Sequence, residues 1–297
     1  MLQTVTVKTI LNKTKRRDPW FLDDYTVNPN LGCSFNCLFC YIRGSKYGIH
    51  MEEKLRVKSN AAELLDKALY NRAKKGQYGI IVLSSSTDPY LQFEKETGHT
   101  RQLLEIIQRH RFPLHLITRS DLVLRDLDIL GKIREHAILP ADLRGKVRQP
   151  LFITFSFSTT DDQAAHIFEP GATPPSRRTE AMKTVLASGF HSGVSLMPLI
   201  PWISDTGEHL EKMYALFAAA GVNYLFPASI SLFGEAPYNS KMLMLRAIEK
   251  HYPHLLEKYH RYFDRSDSVP AFYAKALQQK TAGLNRQYGI PDRIAYL

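Results

Sequence analysis

Six short apolar runs, rich in β-branched residues, alternate along this chain with amphipathic helical stretches, and that alternation leaves few folds open. The first run, Tyr25-Thr-Val-Asn28, ends at Pro29. Asn60 with Glu63 reads as a capping pair opening a helix through Asn71, stopped near Gly76. Gly79 to Ser84 is a buried-strand pattern, followed by a helix from about Thr100 to His110. Leu114–Thr118 and Leu151–Phe157 are further strands, with helices over 124–135 and 176–187. Gly193–Met197 and Asn223–Phe226 complete six strands, with a helix near 208–219 between them. Six βα repeats imply a parallel sheet, either an open doubly wound sheet or a partial or complete barrel. Polar residues cluster where the strands end: Ser84-Ser-Ser-Thr-Asp88, Thr118-Arg-Ser120, and Ser156 with Ser158. Barrels build their sites at that end of the sheet, which favours a barrel.

This organisation divides the chain into an N-terminal segment (1–24), a core barrel (25–229) and a C-terminal helical extension (230–297) rich in Tyr, His, Lys and Arg. Residues 136–150 form a short polar and basic insertion before the fourth strand. With 44% hydrophobic and 23% charged residues the chain is expected to be globular. No apolar run reaches the roughly 18 residues needed to cross a bilayer. The stretch Met1 to Arg17 lacks the apolar core and cleavage site of a secretion signal. A cytoplasmic location is therefore expected.

All three cysteines of the chain, Cys33, Cys37 and Cys40, fall in one loop after the first strand. With no partner cysteines for disulfides, they suit a reducing compartment and a metal centre. Thiolates favour zinc or an iron–sulfur cluster. Zinc would need a fourth ligand such as His50, closing a structural site. Zinc sites usually pair two separated hooks, however, and His50 follows too closely to form a second one. A four-iron cluster on three thiolates leaves one iron for an exogenous ligand.

Cys-x3-Cys-x2-Cys after a first strand, with Phe39 before the last cysteine and Tyr41 after it, resembles the radical S-adenosylmethionine (SAM) superfamily. Ser86-Thr-Asp-Pro-Tyr90, Thr118-Arg-Ser120, Arg125-Asp126, Glu169-Pro170 with Arg177, and Pro198-Leu-Ile-Pro201 resemble its spore photoproduct lyase-like branch, also called DNA repair photolyase-like. The similarity runs from about residue 28 to 226. It implies a partial (β/α)6 TIM-type barrel, a [4Fe–4S] cluster on Cys33, Cys37 and Cys40, and S-adenosylmethionine on the open iron. Reductive cleavage of that cofactor, by an electron donor such as flavodoxin or ferredoxin, yields a radical that takes hydrogen from the substrate. By position, Phe39 would lie near the adenine and Ser84, Ser85 and Ser86 would meet the cofactor's amino group. Arg119 would meet its carboxylate, and Ser156 its ribose or methionine part. Asp88 is a further candidate catalytic residue.

Each of these also has a structural reading: Phe39 as core, the serines as a helix cap, Arg119 in an ion pair, Ser156 filling a strand. Glu169 and Arg177 are expected to form a salt bridge across a Pro-Gly loop or to touch substrate. The reaction that gives the branch its name uses an additional cysteine as hydrogen donor, and this chain has none outside the loop. A tyrosine would have to substitute, and Tyr90, near the expected site, is the candidate. The missing cysteines also argue against a second cluster. The leading reading leaves the substrate unknown, with nucleic acid a candidate because 39 Lys+Arg against 29 Asp+Glu leave a net charge of +10. A small metabolite or peptide is the second reading. A zinc-bearing nucleic-acid-binding protein, using the basic aromatic stretch 251–263, is the third.

Overall fold

The computed structural model describes residues 3–45 and 55–294. Among the described residues there are ten strands: β1 (Gln3–Val5), β2 (Leu11–Lys13), β3 (Tyr25–Val27), β4 (Asn30–Leu31), β5 (Arg56–Lys58), β6 (Ile81–Leu83), β7 (Leu114–Thr118), β8 (Leu151–Ser156), β9 (His191–Leu199) and β10 (Leu225–Ser229). The helices through the barrel are α1 (Ala61–Lys74), α2 (Glu94–Thr97), α3 (His99–Arg109), α4 (Leu127–His136), α5 (Asp162–Phe168), α6 (Pro175–Ala187) and α7 (Gly207–Ala220). Three more follow β10: α8 (Ser240–His251), α9 (Leu256–Phe263) and α10 (Ala271–Gln287).

The main sheet runs β10-β9-β8-β7-β6-β3-β2. Its six strands from β3 to β10 are parallel and lie in chain order, with Tyr25 opposite Ile81 and Leu83 opposite Leu116. A doubly wound sheet reverses its strand order at a switch point. Here the order never reverses, so the chain forms the expected partial barrel. β2 adds an antiparallel edge, Leu11 opposite Val27. A small second sheet, β1-β5-β4, sits beside the cysteine loop's entry.

Side-chain alternation along each strand separates two layers. On β7, Leu114 and Leu116 join the outer core with Leu65, Leu103, Leu130, Met182 and Phe217 from the surrounding helices. The opposite, concave face is filled at its base by Leu22, Leu143, Val147, Phe152, Tyr224 and Phe226, with Trp20 and Phe21 packed on them. The N-terminal segment and the insertion 136–150 thus plug the barrel, a role their polar composition hid. A third cluster joins the cysteine loop to the C-terminal helices: Phe35, Cys37 and Phe39 pack with Met244, Leu245 and Ile248 of α8 and Tyr259 and Phe263 of α9.

Between β8 and α6 lies a helix the apolar pattern did not reveal, α5, capped by Asp161, whose carboxylate accepts the N–H groups of Gln163 and Ala164. Among the described residues no helix is long and apolar enough to cross a membrane.

Candidate functional site

The C-terminal ends of the parallel strands open into a cleft of about 530 Å³. Cys33, Cys37 and Cys40 line it, with Phe39, Tyr41, Ser84 to Asp88, Thr118, Arg119, Ser156 and Met197. Phe21 lines it too, which puts the top of the barrel plug at the cleft's floor.

The cysteine loop is folded by backbone contacts rather than by regular structure. Gly32 and Asn36 take left-handed conformations, φ +77° and +52°, that turn the chain before the first thiol and between the first two. The N–H of Cys40 donates to Cys37 O at 3.2 Å, and that of Arg43 to Cys40 O at 3.0 Å. Arg43, on the turn Tyr41–Gly44, is buried beneath the loop. Its Nε donates to Cys37 O at 3.1 Å and its Nη2 to the Asn36 carboxamide oxygen. From outside, Leu38 N–H donates to Phe168 O at 2.9 Å and Gly171 N–H to Phe35 O at 3.0 Å.

Burial pushes the Cys37 thiol up to about 12, against the pull of the Arg119 guanidinium. Burial also raises Cys33 and Cys40. Such thiols give up their protons to a metal centre rather than to water, coupling loading to deprotonation. Among the described residues, no three Cys, His, Asp or Glu side chains converge on a point that one ion could occupy. Three soft thiols on one loop, all lining one cleft, are a donor set that suits an iron–sulfur cluster. His50 lies outside the described residues.

Beside the thiols, the segment after β6 turns through Ser84 at φ +65°, a strained position for a residue with a Cβ. Among the described residues its buried hydroxyl has no hydrogen-bond partner, nor has that of Thr87. Buried hydroxyls are nearly always paired, so two lone ones in one cleft mark places for a polar ligand. Ser85 is exposed, its carbonyl accepting the Tyr41 hydroxyl at 2.7 Å. The N–H of Ser86 donates to Asn28 Oδ1 at 2.9 Å.

Arg119 follows β7. Its Nη1 donates to Glu169 Oε1 at 2.7 Å, its Nη2 to Met197 O at 2.8 Å, and its guanidinium lies 5.4 Å from the Phe39 ring centre. Glu169 is wholly buried; Arg178 Nη2 donates to its other oxygen at 2.7 Å, and Ser158 donates from both N–H and hydroxyl. The two arginines hold the Glu169 carboxyl below its usual range despite desolvation. The sequence expectation of a Glu169–Arg177 bridge is corrected here: Arg177 pairs with Asp121 on the surface, and its neighbour Arg178 points inward. Ser156 lines the cleft, its carbonyl accepting from Arg178.

Asp88 is buried, its pKa pushed up to about 6 by desolvation. It accepts from Tyr90 N–H at 2.9 Å, the Thr118 hydroxyl at 2.8 Å and Arg119 N–H at 2.7 Å. These bonds make it the fastener of the strand ends. Tyr90 stands apart from the rest: its side chain packs in the outer core and its hydroxyl donates to Asp126 at 3.1 Å. The cleft is not lined by it, because Asp126 and the adjacent Arg125 offer a buried polar partner on the far side. Sequence reasoning missed Asn28, Thr87 and Arg43. Arg43 had a signal in its place three residues after the last cysteine.

Residues 27–217 match the family model described as the Radical SAM superfamily. An uncharacterized protein of Mycobacterium bovis is 25% identical over 270 residues, covering 89% of this chain and 74% of that protein. Among solved structures, spore photoproduct lyase complexed with dinucleoside spore photoproduct superposes with a TM-score of 0.64 at 16% identity, covering 98% of this chain and 80% of that one. A double mutant of the same lyase, with bound AdoMet and the dinucleoside, gives 0.61 at 16% identity over 91% and 75% of the two chains. At such identity the likeness is one of fold.

Proposed function

The chain belongs to the radical SAM superfamily, which uses a [4Fe–4S] cluster and S-adenosylmethionine, and we propose that it is an enzyme that takes hydrogen from a nucleic-acid substrate in the cleft above its barrel. One observation carries the reading: three metal-seeking thiols, two unpartnered hydroxyls and a fixed guanidinium open on one cleft at the strands' C-terminal ends. When bound, the cluster and cofactor together supply one-electron cleavage to methionine and a 5′-deoxyadenosyl radical.

Cys33, Cys37 and Cys40 hold the cluster. Arg119 binds the cofactor carboxylate, for which its planar fork is suited. The Ser84 and Thr87 hydroxyls take its amino group, Ser156 its ribose or methionine part, and Phe39 borders the adenine. Ser85 and Ser86 act through their backbone, shaping that loop. Asp88 orders the strand ends and Tyr90 the core, so neither touches the reacting atoms. Phe21 and the plug below it keep water from the floor, as a reactive radical requires.

Nucleic acid as substrate is supported by the net charge of +10 and by the dinucleoside lesion bound in the structural neighbour. An electron donor of the flavodoxin or ferredoxin type completes the system.

Anaerobic reconstitution tests the reading. The protein should hold about four irons per chain and release 5′-deoxyadenosine from S-adenosylmethionine with a reductant. Cys37→Ala should do neither. Stoichiometric zinc without iron, or turnover by Cys37→Ala, would overturn the cluster assignment. Oligonucleotide binding should weaken steeply with salt; absent binding would move the substrate to a small metabolite or peptide.

A further inference from the structure

Glu169 lies in the turn after α5, away from the thiols in sequence, yet that turn grips both halves of the site. Its neighbours hold the cysteine loop on either side of Cys37: Phe168 O accepts Leu38 N–H, and Gly171 N–H donates to Phe35 O. Gly171 O is fixed in turn by Gln92 Nε2 at 2.6 Å, and the Gln92 carboxamide oxygen accepts from Ser34 on the cysteine loop. Within the same turn, Glu169 holds Arg119 at 2.7 Å and is itself immobilised by Arg178 and Ser158.

Arg119 is a long side chain and would sample many rotamers in an open cleft. Three contacts hold it in one: Glu169, Met197 O and the Phe39 ring. Phe39, on the cysteine loop, meets the guanidinium only through its ring face, and Met197 O on β9 is a neutral acceptor. Glu169 is the charged partner, and it ties the guanidinium to the turn that grips the cysteine loop on both sides of Cys37.

The geometry points to Glu169 as a positioning residue that sets the Arg119 guanidinium in register with the cysteine loop, so that one turn spaces the seat of the cofactor's carboxylate from the seat of the cluster. The inference rests on the reading of Arg119 as the carboxylate's partner. Ligand-orienting residues of this kind typically carry about ten- to a hundredfold in binding or activity.

The test uses anaerobically reconstituted protein without reductant, measuring iron content and the Kd for S-adenosylmethionine by equilibrium dialysis. Four proteins are compared with the unaltered chain: Arg119→Gln, Glu169→Gln, Glu169→Asp, and the double variant Arg119→Gln/Glu169→Gln. Glu169→Asp keeps the buried charge that Arg178 needs and shortens only the reach to Arg119, so it serves where Glu169→Gln fails to fold. Both Glu169 variants should load iron normally and bind the cofactor about tenfold more weakly or worse. The double variant should bind no more weakly than Arg119→Gln alone, since Glu169 acts through Arg119.

Unchanged affinity in both Glu169 variants, beside a weakened Arg119→Gln, overturns the inference and leaves the Arg119 reading standing. Additive losses in the double variant overturn it as well, as does loss of iron in both single Glu169 variants. Unchanged affinity in Arg119→Gln overturns the Arg119 reading itself, and this inference with it.

Discussion

Asn28, the residue just past β3, accepts the backbone N–H of Ser86 at 2.9 Å and donates its own amide hydrogen to the Ser85 hydroxyl at 3.2 Å. One carboxamide thereby fastens the loop after β6 to the strand that leads into the cysteine loop. Two neighbouring strand ends, 58 residues apart in the chain, share a single side-chain clasp.

Asn28→Ala removes both bonds from a partly exposed position. Each is worth about 1 kcal/mol, and the loss falls on the placement of Ser85 and Ser86 rather than on the core. The variant should unfold near the temperature of the unaltered protein and bind S-adenosylmethionine about tenfold more weakly. Unchanged affinity in a dialysis measurement would show that the serine loop holds its shape unaided.

Ser84→Gly separates stability from binding. Glycine takes φ +65° freely, so the substitution relieves about 1 kcal/mol of backbone strain and removes an unpaired buried hydroxyl. Thermal unfolding should move up by a few degrees, about 2 °C, while the Kd for the cofactor rises. A variant that is both less stable and equally tight would contradict the role given to this hydroxyl.

Gly171→Ala tests the grip on the cysteine loop. A Cβ there meets the Ser34 carbonyl oxygen and lies 2.9 Å from Phe35 Cα, both backbone atoms that cannot swing aside. Overpacking of this kind costs about 1–3 kcal/mol, and the cysteine loop is the part able to yield. Iron loading should drop sharply while far-UV circular dichroism stays that of the intact barrel. Full loading would mean that the loop adjusts without disturbing its thiols.

Acid should destabilise the barrel's interior. His115 is held down to about 4 by burial; its Nδ1 pairs with Phe21 O at 2.8 Å and its Nε2 with the Thr154 hydroxyl at 2.6 Å. His191 is held to about 4 by burial and by Arg148, and its Nε2 has no hydrogen-bond partner among the described residues. Both imidazoles are neutral when folded, whereas the unfolded chain protonates them below about 6.5. Their contribution is complete above that pH and is lost as pH falls from 6.5 toward 4, roughly 3 kcal/mol for each. In His191→Phe the loss of stability between pH 7.5 and 5 should shrink by about 2 kcal/mol. Urea midpoints at the two pH values decide it, and an unaltered difference counts against the assignment.

The barrel was legible because its six strands are short runs rich in apolar and β-branched residues separated by helical periods, a pattern that local propensity and burial write together. Strands β1, β2, β4 and β5 were not, since their short runs are mostly exposed or half-buried and carry polar residues such as Gln3, Asn12, Asn30 and Arg56. Nor was the plug: Trp20, Leu22, Leu143 and Val147 find their partners on strands distant in sequence. In the site, the loop that brings the three cysteines to one cleft was plain, because they fall within eight consecutive positions of the chain. Arg177 and Arg178 show the limit. One residue of helical rotation sends the first to the surface and the second into the core, and only packing decides which. Tyr90 failed as a site residue for a similar reason: two positions after Asp88, its side chain leaves for the opposite layer.

The cover over the cysteine loop also has a place in time. Met244 and Ile248 of α8 and Tyr259 and Phe263 of α9 close over Phe35, Cys37 and Phe39. On the ribosome the three thiols emerge well before these covering helices. Until α8 and α9 have emerged and packed, the loop therefore stands open to solvent. A message truncated before α8 leaves a barrel whose cysteine loop stays uncovered.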